Sequence, residues 1–329
     1  MSEPLLLFYE EPDPDRWLPG DRFVRRWIRR LVRGRPQPGG QKLVALNLFT
    51  GLDRIGQPYL VNRYDLARAR PDRPVGIIGK PHVLDHHDWP NPILFGASVM
   101  SHPLADPTLL ARRPGVRRIL VPGEWMRRMC EPHWGDRVSV WPVGIDTARW
   151  SPRPAIRPEF DVLLYDKIRW DYARFEPSLL DPIRAELARR GLRHAHLRYG
   201  HYREEQFVDL LPRCRAMIFL CEHETQGLAY QQALASGVPI LAWDRGGFWQ
   251  DPEFYPHRVQ FGPVSSVPYW DARCGLTFSD AAAFPAALGE FWPRVEAGEF
   301  APREFIVGQL TLEQAARHYC RHWHETFDR

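Results

Sequence analysis

The residues best placed to do chemistry lie in four short stretches. The run from Ala216 to Trp243, AMIFLCEHETQGLAYQQALASGVPILAW, has Glu224 three residues before Gly227 and eight before Gln232. Asp166-Lys167-Ile168-Arg169 places two cations at the end of an apolar run. Lys80 to Asp88, KPHVLDHHD, carries three histidines and two aspartates, with His82 the first of them. Gly39 and Gly40 stand together ahead of a helix-like segment. Lysine and arginine neutralise phosphate oxygens. Glycines at a helix start let a ligand approach free backbone N–H groups, where the helix dipole also favours an anion. A bound phosphate at Gly227 is the first hypothesis, and a plain turn in an α/β core is the alternative.

The elements around these stretches would put them at strand ends. Met217 to Cys221 is apolar, Glu222 to Gln226 is polar, and helix-type spacing runs from Gly227 through Leu228, Gln232 and Ala235 to Ser236-Gly237. A second apolar run, Val238 to Trp243, follows. Strand, turn, helix, strand is the unit of a parallel sheet covered by helices. Phe160 to Tyr165 forms another buried strand, so Lys167 and Arg169 would sit at its carboxyl end beside the Gly227 helix. Further strands are expected at Leu5 to Tyr9, Pro58 to Asn62, Val75 to Gly79, Ile93 to Val99, Ile119 to Val121 and Val138 to Trp141. Helices are expected at about Leu179 to Arg190, Glu204 to Leu211 and Leu312 to His324. Ser151 to Pro158, SPRPAIRP, is a stiff hinge. The loop at Lys80 to Asp88 and the Ser101-His102-Pro103 loop are polar segments on the carboxyl side of strands, suited to substrate contact, with a metal site on the three histidines and two aspartates or a structural hydrogen-bond cluster as the alternatives.

The spacing Glu224, Gly227, helix, Ala233, Gly237-Val238-Pro239 resembles the signature of retaining GT-B glycosyltransferases of family 4. Val143-Gly144-Ile145-Asp146 before the hinge is similar to the turn that closes the N-terminal domain in that family. The resemblance covers residues 116 to 152 and 160 to 243. It implies an α/β chain of the GT-B class, with two Rossmann-like domains whose parallel sheets face a central cleft. The domains would be 1–150 for the acceptor and 159–309 for the nucleotide-sugar donor, with the C-terminal helix 310–329 packing back on the first. It implies that Glu224 holds the donor sugar and that Lys167 and Arg169 face the diphosphate. With His82, these form the expected catalytic set. Gly39, Gly40, Tyr199, Gly200, Glu224, Thr225, Gln226, Gly227, Leu228 and Gln232 form the expected nucleotide-sugar set, Tyr199 as a platform for the base. The family has Glu where this chain has Gln232, which can still bond a ribose hydroxyl but carries no charge. Lys167 and Arg169 also differ from the family's pair in order and spacing. A nucleotide diphosphate sugar would be the co-substrate, with no metal and no other cofactor required and the configuration of the sugar retained.

Composition narrows the classes. The 329 residues suffice for two cores, and 44% hydrophobic and 26% charged residues are ordinary for a globular protein. No apolar run approaches the roughly 20 residues that span a bilayer, so the expected location is cytoplasmic. Five scattered cysteines argue against a disulfide framework or a zinc cluster. A formal charge of +4 suits anionic ligands without choosing among them. The segment Asp21 to Gly34, DRFVRRWIRRLVRG, has an apolar stripe on an otherwise arginine-covered helix. It could pack on the sheet, or lie on the inner face of a membrane as a peripheral contact. Basic residues do not alternate with aromatics elsewhere, which argues against nucleic acid. Asp13-Pro14-Asp15 is better read as a solvated turn than as a metal ligand pair.

Rival readings come from other classes. A GT-B nucleotide-sugar epimerase would need further acids, and a phosphorylase more chain and a pyridoxal-binding lysine. A non-catalytic nucleotide-sugar or polyanion-binding protein fits the neutral Gln232 and the arginine-rich helix. A Rossmann oxidoreductase lacks its Gly-x-Gly-x-x-Gly after the first strand.

Overall fold

The computed structural model describes residues 3–11, 40–97 and 100–328. Asp13-Pro14-Asp15, the Asp21 to Gly34 segment and Gly39 lie outside the described residues. The chain divides into two compact units. One comprises Met1–Val121, Cys130–Trp141 and Ala316–Arg329, and the other Pro122–Met129 and Pro142–Ala315.

In chain order the elements up to residue 141 are β1 (Leu5–Phe8), α1 (Gly40–Arg54), β2 (Tyr59–Val61), α2 (Tyr64–Ala69), β3 (Val75–Ile77), α3 (His82–His86), β4 (Ile93–Gly96), α4 (Leu109–Arg112), β5 (Val116–Val121), α5 (Glu124–Trp134) and β6 (Val138–Val140). The first unit's strands form a six-stranded parallel sheet in the order β2-β1-β3-β4-β5-β6. Every residue of β1, β3 and β4 is buried, as expected of parallel strands covered on both faces. The Asn91 amide, itself buried, donates to the carbonyls of Ala67 (3.1 Å), Arg70 (2.8 Å) and Arg73 (2.9 Å), tying the end of α2 to the approach to β3. Tyr319, from the C-terminal helix, covers Gly76 of β3, where a Cβ would overlap its hydroxyl, and meets Trp141 edge-on at 5.3 Å.

The elements that follow are β7 (Phe160–Lys167), α6 (Tyr172–Phe175), α7 (Asp181–Arg189), β8 (His194–Arg198), α8 (Glu204–Leu210), β9 (Cys214–Cys221), α9 (Leu228–Ala235), β10 (Ile240–Trp243), β11 (Gly275–Phe278), α10 (Phe284–Glu296), α11 (Pro302–Gln309) and α12 (Leu312–Phe327). The second unit's strands form a five-stranded parallel sheet, β11-β10-β9-β7-β8. One face packs on Leu163, Met217, Phe219, Tyr230 and Leu234, and the other on Val162, Leu164, Ile218, Ile183 and Phe291.

The strand orders locate the functional ends. In the first sheet the chain moves from β1 to β2 on one side and then to β3 on the other, so strand order reverses between β1 and β3. In the second it reverses between β7 and β9. Open α/β sheets bind ligands outside the carboxyl ends of strands at such reversals. No helix among the described residues is long and apolar enough to cross a membrane.

One local expectation needs correction. Lys80 to Asp88 is not a loop throughout, because His82–His86 turns into a short helix that buries Val83 and Leu84.

Candidate active site

At the second sheet's reversal, β7 and β9 run side by side until Lys167 lies opposite Cys221. The chain after Cys221 turns through Glu222-His223-Glu224-Thr225-Gln226-Gly227 into α9. Lys167 and Glu224 form an ion pair across this end, their side chains only 12% and 8% exposed. Burial works to lower the Lys167 pKa, but attraction to the Glu224 carboxylate, with Cys221 and Tyr199, outweighs it and holds the ammonium above its ordinary value. The exposed Tyr199 ring, just past β8, lies 4.6 Å from the same ammonium, followed by the exposed Gly200.

Glu222 is buried and faces back to β7, accepting from the main-chain N–H of Arg169 at 2.9 and 3.2 Å and of Trp170 at 2.9 Å. Burial raises its carboxyl pKa against the pull of those N–H groups. The Arg169 guanidinium donates to the His223 carbonyl at 2.7 Å. His223 is buried between the rings of Trp125 and Trp170, at 5.7 and 5.0 Å, and its Nε2 accepts from the Gln250 N–H at 3.0 Å. Burial first, then Arg169, Arg245 and Lys167, pushes its pKa down to about 2, so the imidazole is neutral.

The turn is anchored on all sides. Glu224 donates its N–H to Ser265 (2.9 Å) and accepts from the Trp125 indole (2.8 Å). The Gln226 amide closes a pair of bonds with the Val143 main chain, at 3.0 and 3.2 Å, and donates to Gln231 at 2.8 Å. Its side chain therefore positions the turn and holds the Val143-Gly144-Ile145 segment to it. Gly227 adopts φ +82°, and a Cβ there would run into the ring of Tyr230. The glycine is required by this packing as well as by backbone hand. Thr225, Leu228 and Gln232 are half-buried along the same turn and helix.

The structure thus brings Lys167, Arg169, Tyr199, Gly200, Glu224, Thr225, Gln226, Gly227, Leu228 and Gln232 into the second unit. His82 and Gly40 belong to the first, Gly40 as the opening residue of α1. At the first sheet's reversal the Glu10 carboxylate accepts from the Tyr64 hydroxyl (2.6 Å) and meets His87 Nε2 (3.1 Å), with His86 at 3.7 Å. His82 Nε2 lies 3.1 Å from the Glu10 carbonyl, and its buried Nδ1 has no partner among the described residues. Among those residues, no group of three His, Cys, Asp or Glu has metal-holding geometry. The spacing rules for a donor turn passed over Glu222, His223 and Trp125. Glu222 had a signal in the sequence, since a second acid two residues before Glu224 falls at the end of the same strand.

No family model and no curated protein sequence matches this chain. Solved structures do match its fold. S. aureus TarM is similar with a TM-score of 0.56 and 10% identity, over 87% of this chain and 58% of TarM, so the chain spans less than two thirds of that protein. Anabaena HepE, solved in complex with UDP, is similar with a TM-score of 0.55 and 9% identity, over 98% of this chain and 100% of HepE. Sucrose-phosphate synthase from Thermosynechococcus elongatus is similar with a TM-score of 0.52 and 12% identity, over 99% and 100% of the two chains. These are GT-B glycosyltransferase structures, and the fold of this chain is theirs.

Proposed function

We propose, from the GT-B fold and the charged turn at the second sheet's strand reversal, that this chain is a retaining glycosyltransferase. It would take a sugar from a nucleotide diphosphate sugar without a metal ion. The observation that carries the reading is the convergence of Lys167, Arg169, Glu224 and the amino end of α9 at neighbouring strand ends. When the glycosidic bond lengthens, charge builds on the departing diphosphate, and a preorganised set of cations and N–H groups stabilises it. Lys167, Arg169 and the N–H groups of Gly227 and Leu228 are that set. Glu224 accepts from the sugar's hydroxyls, exchanging its bond to Lys167 for them as Lys167 turns to phosphate. Tyr199 and Gly200 border the base, and Gln232 the ribose. No side-chain nucleophile is assigned; the donor's phosphate takes the acceptor's proton on the face it leaves. HepE's complex with UDP supports the donor class. The acceptor would be a glycan, a lipid or a small molecule.

The neutral Gln232 supports a second reading, a protein that binds a nucleotide sugar without turning it over. Thermal unfolding in EDTA against UDP, GDP, ADP, CMP, dTDP and their common sugars tests both. A ligand at 100 times its Kd adds roughly 2.7 kcal/mol of stability. One nucleotide should raise Tm, and Lys167→Ala should abolish the rise. Release of nucleotide on adding acceptor extracts then separates enzyme from binder. No shift with any nucleotide would end the donor reading.

A further inference from the structure

Lys167, Arg169 and Glu222 have their partners in the protein, but the next strand end carries a cation that does not. Trp243 pairs with Leu220 in the β9–β10 ladder, so Arg245, two residues past the end of β10, falls at the register level of Glu222, one residue past the end of β9. Arg245 is half-buried, its guanidinium over the rings of Trp243 (5.6 Å) and Phe175 (5.8 Å). Its Nε is buried without a hydrogen-bond partner, and among the described residues the side chain makes no hydrogen bond or ion pair. The nearest carboxylates are already engaged. Glu222 is held by the Arg169 and Trp170 N–H groups, and Asp244 accepts from the Ser265 hydroxyl (2.8 Å) and Ser266 N–H (2.9 Å). Of the charges that act on Arg245, the Glu222 carboxylate favours its cation without bonding to it, and Arg174 opposes it. Burial lowers its pKa below the ordinary arginine value, outweighing the attraction of the Glu222 carboxylate. Arginine does not give up its proton, so a buried guanidinium with no partner is costly unless an anion arrives. Unsatisfied buried polar atoms in folded proteins are a sign of an ion or ligand that belongs there.

We infer that Arg245 is an anion-binding residue of the donor site, receiving a phosphate oxygen or a carboxylate on the transferred sugar through its unpaired guanidinium edge. The inference rests on the donor-site reading for its neighbours, but its chemistry needs only an oxyanion. The two sources share one geometry, two oxygens against a planar fork.

The test uses the full chain, Arg245→Gln and Arg245→Met, with inorganic pyrophosphate, α-glucose 1-phosphate and α-glucuronic acid 1-phosphate as probes in calorimetric titration. A loss of tenfold or more in affinity for pyrophosphate and both sugar phosphates assigns phosphate to Arg245. A loss confined to the glucuronic acid compound assigns a sugar carboxylate. Equal affinity of wild type and variants for all three, or no binding by wild type, overturns the inference. Without ligand, both variants should unfold at or above the wild-type temperature. Earlier unfolding would mean that the guanidinium already has a partner, and would also overturn it. If no nucleotide sugar binds but pyrophosphate binding still depends on Arg245, the donor reading falls and this one stands. If nucleotide sugars, one with a sugar carboxylate included, bind wild type and Arg245 variants alike, the reverse holds.

Discussion

Removing one member of the Lys167–Glu224 pair should cost more stability than removing both. The side chains are 12% and 8% exposed, so Lys167→Met leaves a carboxylate, and Glu224→Gln an ammonium, in a place that water scarcely reaches. Breaking a buried pair from one side costs about 3–5 kcal/mol, while replacing both partners with neutral groups of similar size is often close to neutral. At about 2–4 °C per kcal/mol for a unit of this size, each single variant should lose roughly 10 °C in Tm. The double variant should recover most of that loss. With about 3–5 kcal/mol lost in each single variant and about 1 kcal/mol in the double, the coupling in a double-mutant cycle should be about 5 kcal/mol or more, where distant sites would add to within about 0.5 kcal/mol. Measurement at pH 7 sees the pair whole. The folded pKa of Lys167 is raised, so its contribution is complete below the ordinary lysine value of about 10.4 and is lost only as pH rises through the folded value. Donor binding should stay lost in the double variant, which separates stability from function. Additive single effects would refute the reasoning, since they would mean that the two charges do not hold each other.

The neutral His223 makes the second unit sensitive to acid. Its pKa falls from about 6.5 unfolded to about 2 folded, so in that window the unfolded state binds one more proton and stability drops as pH falls. Between pH 6.5 and 5 this amounts to about 2 kcal/mol, which His223→Gln should lack in urea titrations at the two pH values. Gly227→Ala should cost about 1–2 kcal/mol from its left-handed backbone alone, and more because the Tyr230 ring must move; chemical denaturation showing under 1 kcal/mol would count against it. Asn91→Ala should cost about 1–3 kcal/mol, since the buried Ala67 carbonyl and the part-buried Arg70 and Arg73 bonds lose one donor group, and its effect should appear in the unfolding of the first unit.

Much of the second unit was legible because its signals are local. Met217 to Cys221, the Gly227 helix and Val238 to Trp243 appear as β9, α9 and β10 with ends shifted by a few residues. Apolar runs between turn residues identify buried parallel strands wherever they are continuous, and Leu5 to Tyr9 did so as β1. The polar reading of Lys80 to Asp88 missed α3, where Val83 and Leu84 alone drive a single turn inward. The strand Gly275–Phe278 and the helix Phe284–Glu296, which holds Pro293, have mixed patterns that no periodicity rule separates. At the site, the cations and Glu224 were legible as types near strand ends. That Glu222 is held by Arg169 and Trp170, and that Gln226 faces Val143, depends on chain segments brought together by the sheet. Gly227 was read as space for a phosphate, whereas packing against Tyr230 also fixes it. That Arg245 lacks a partner shows only once its neighbours' bonds are known.

The central claim, a nucleotide-sugar site at the carboxyl ends of β7 and β9, is tested most directly by photolabelling. Azido analogues of UDP-, ADP- and GDP-glucose would be crosslinked to the full chain, with and without excess unlabelled nucleotide, and the labelled peptides mapped by mass spectrometry. One analogue should label peptides containing Lys167 to Trp170, Tyr199 to Tyr202 or Glu222 to Gln232, and the unlabelled nucleotide should suppress it. Suppressible labelling elsewhere in the chain, or none with any analogue, would contradict the claim.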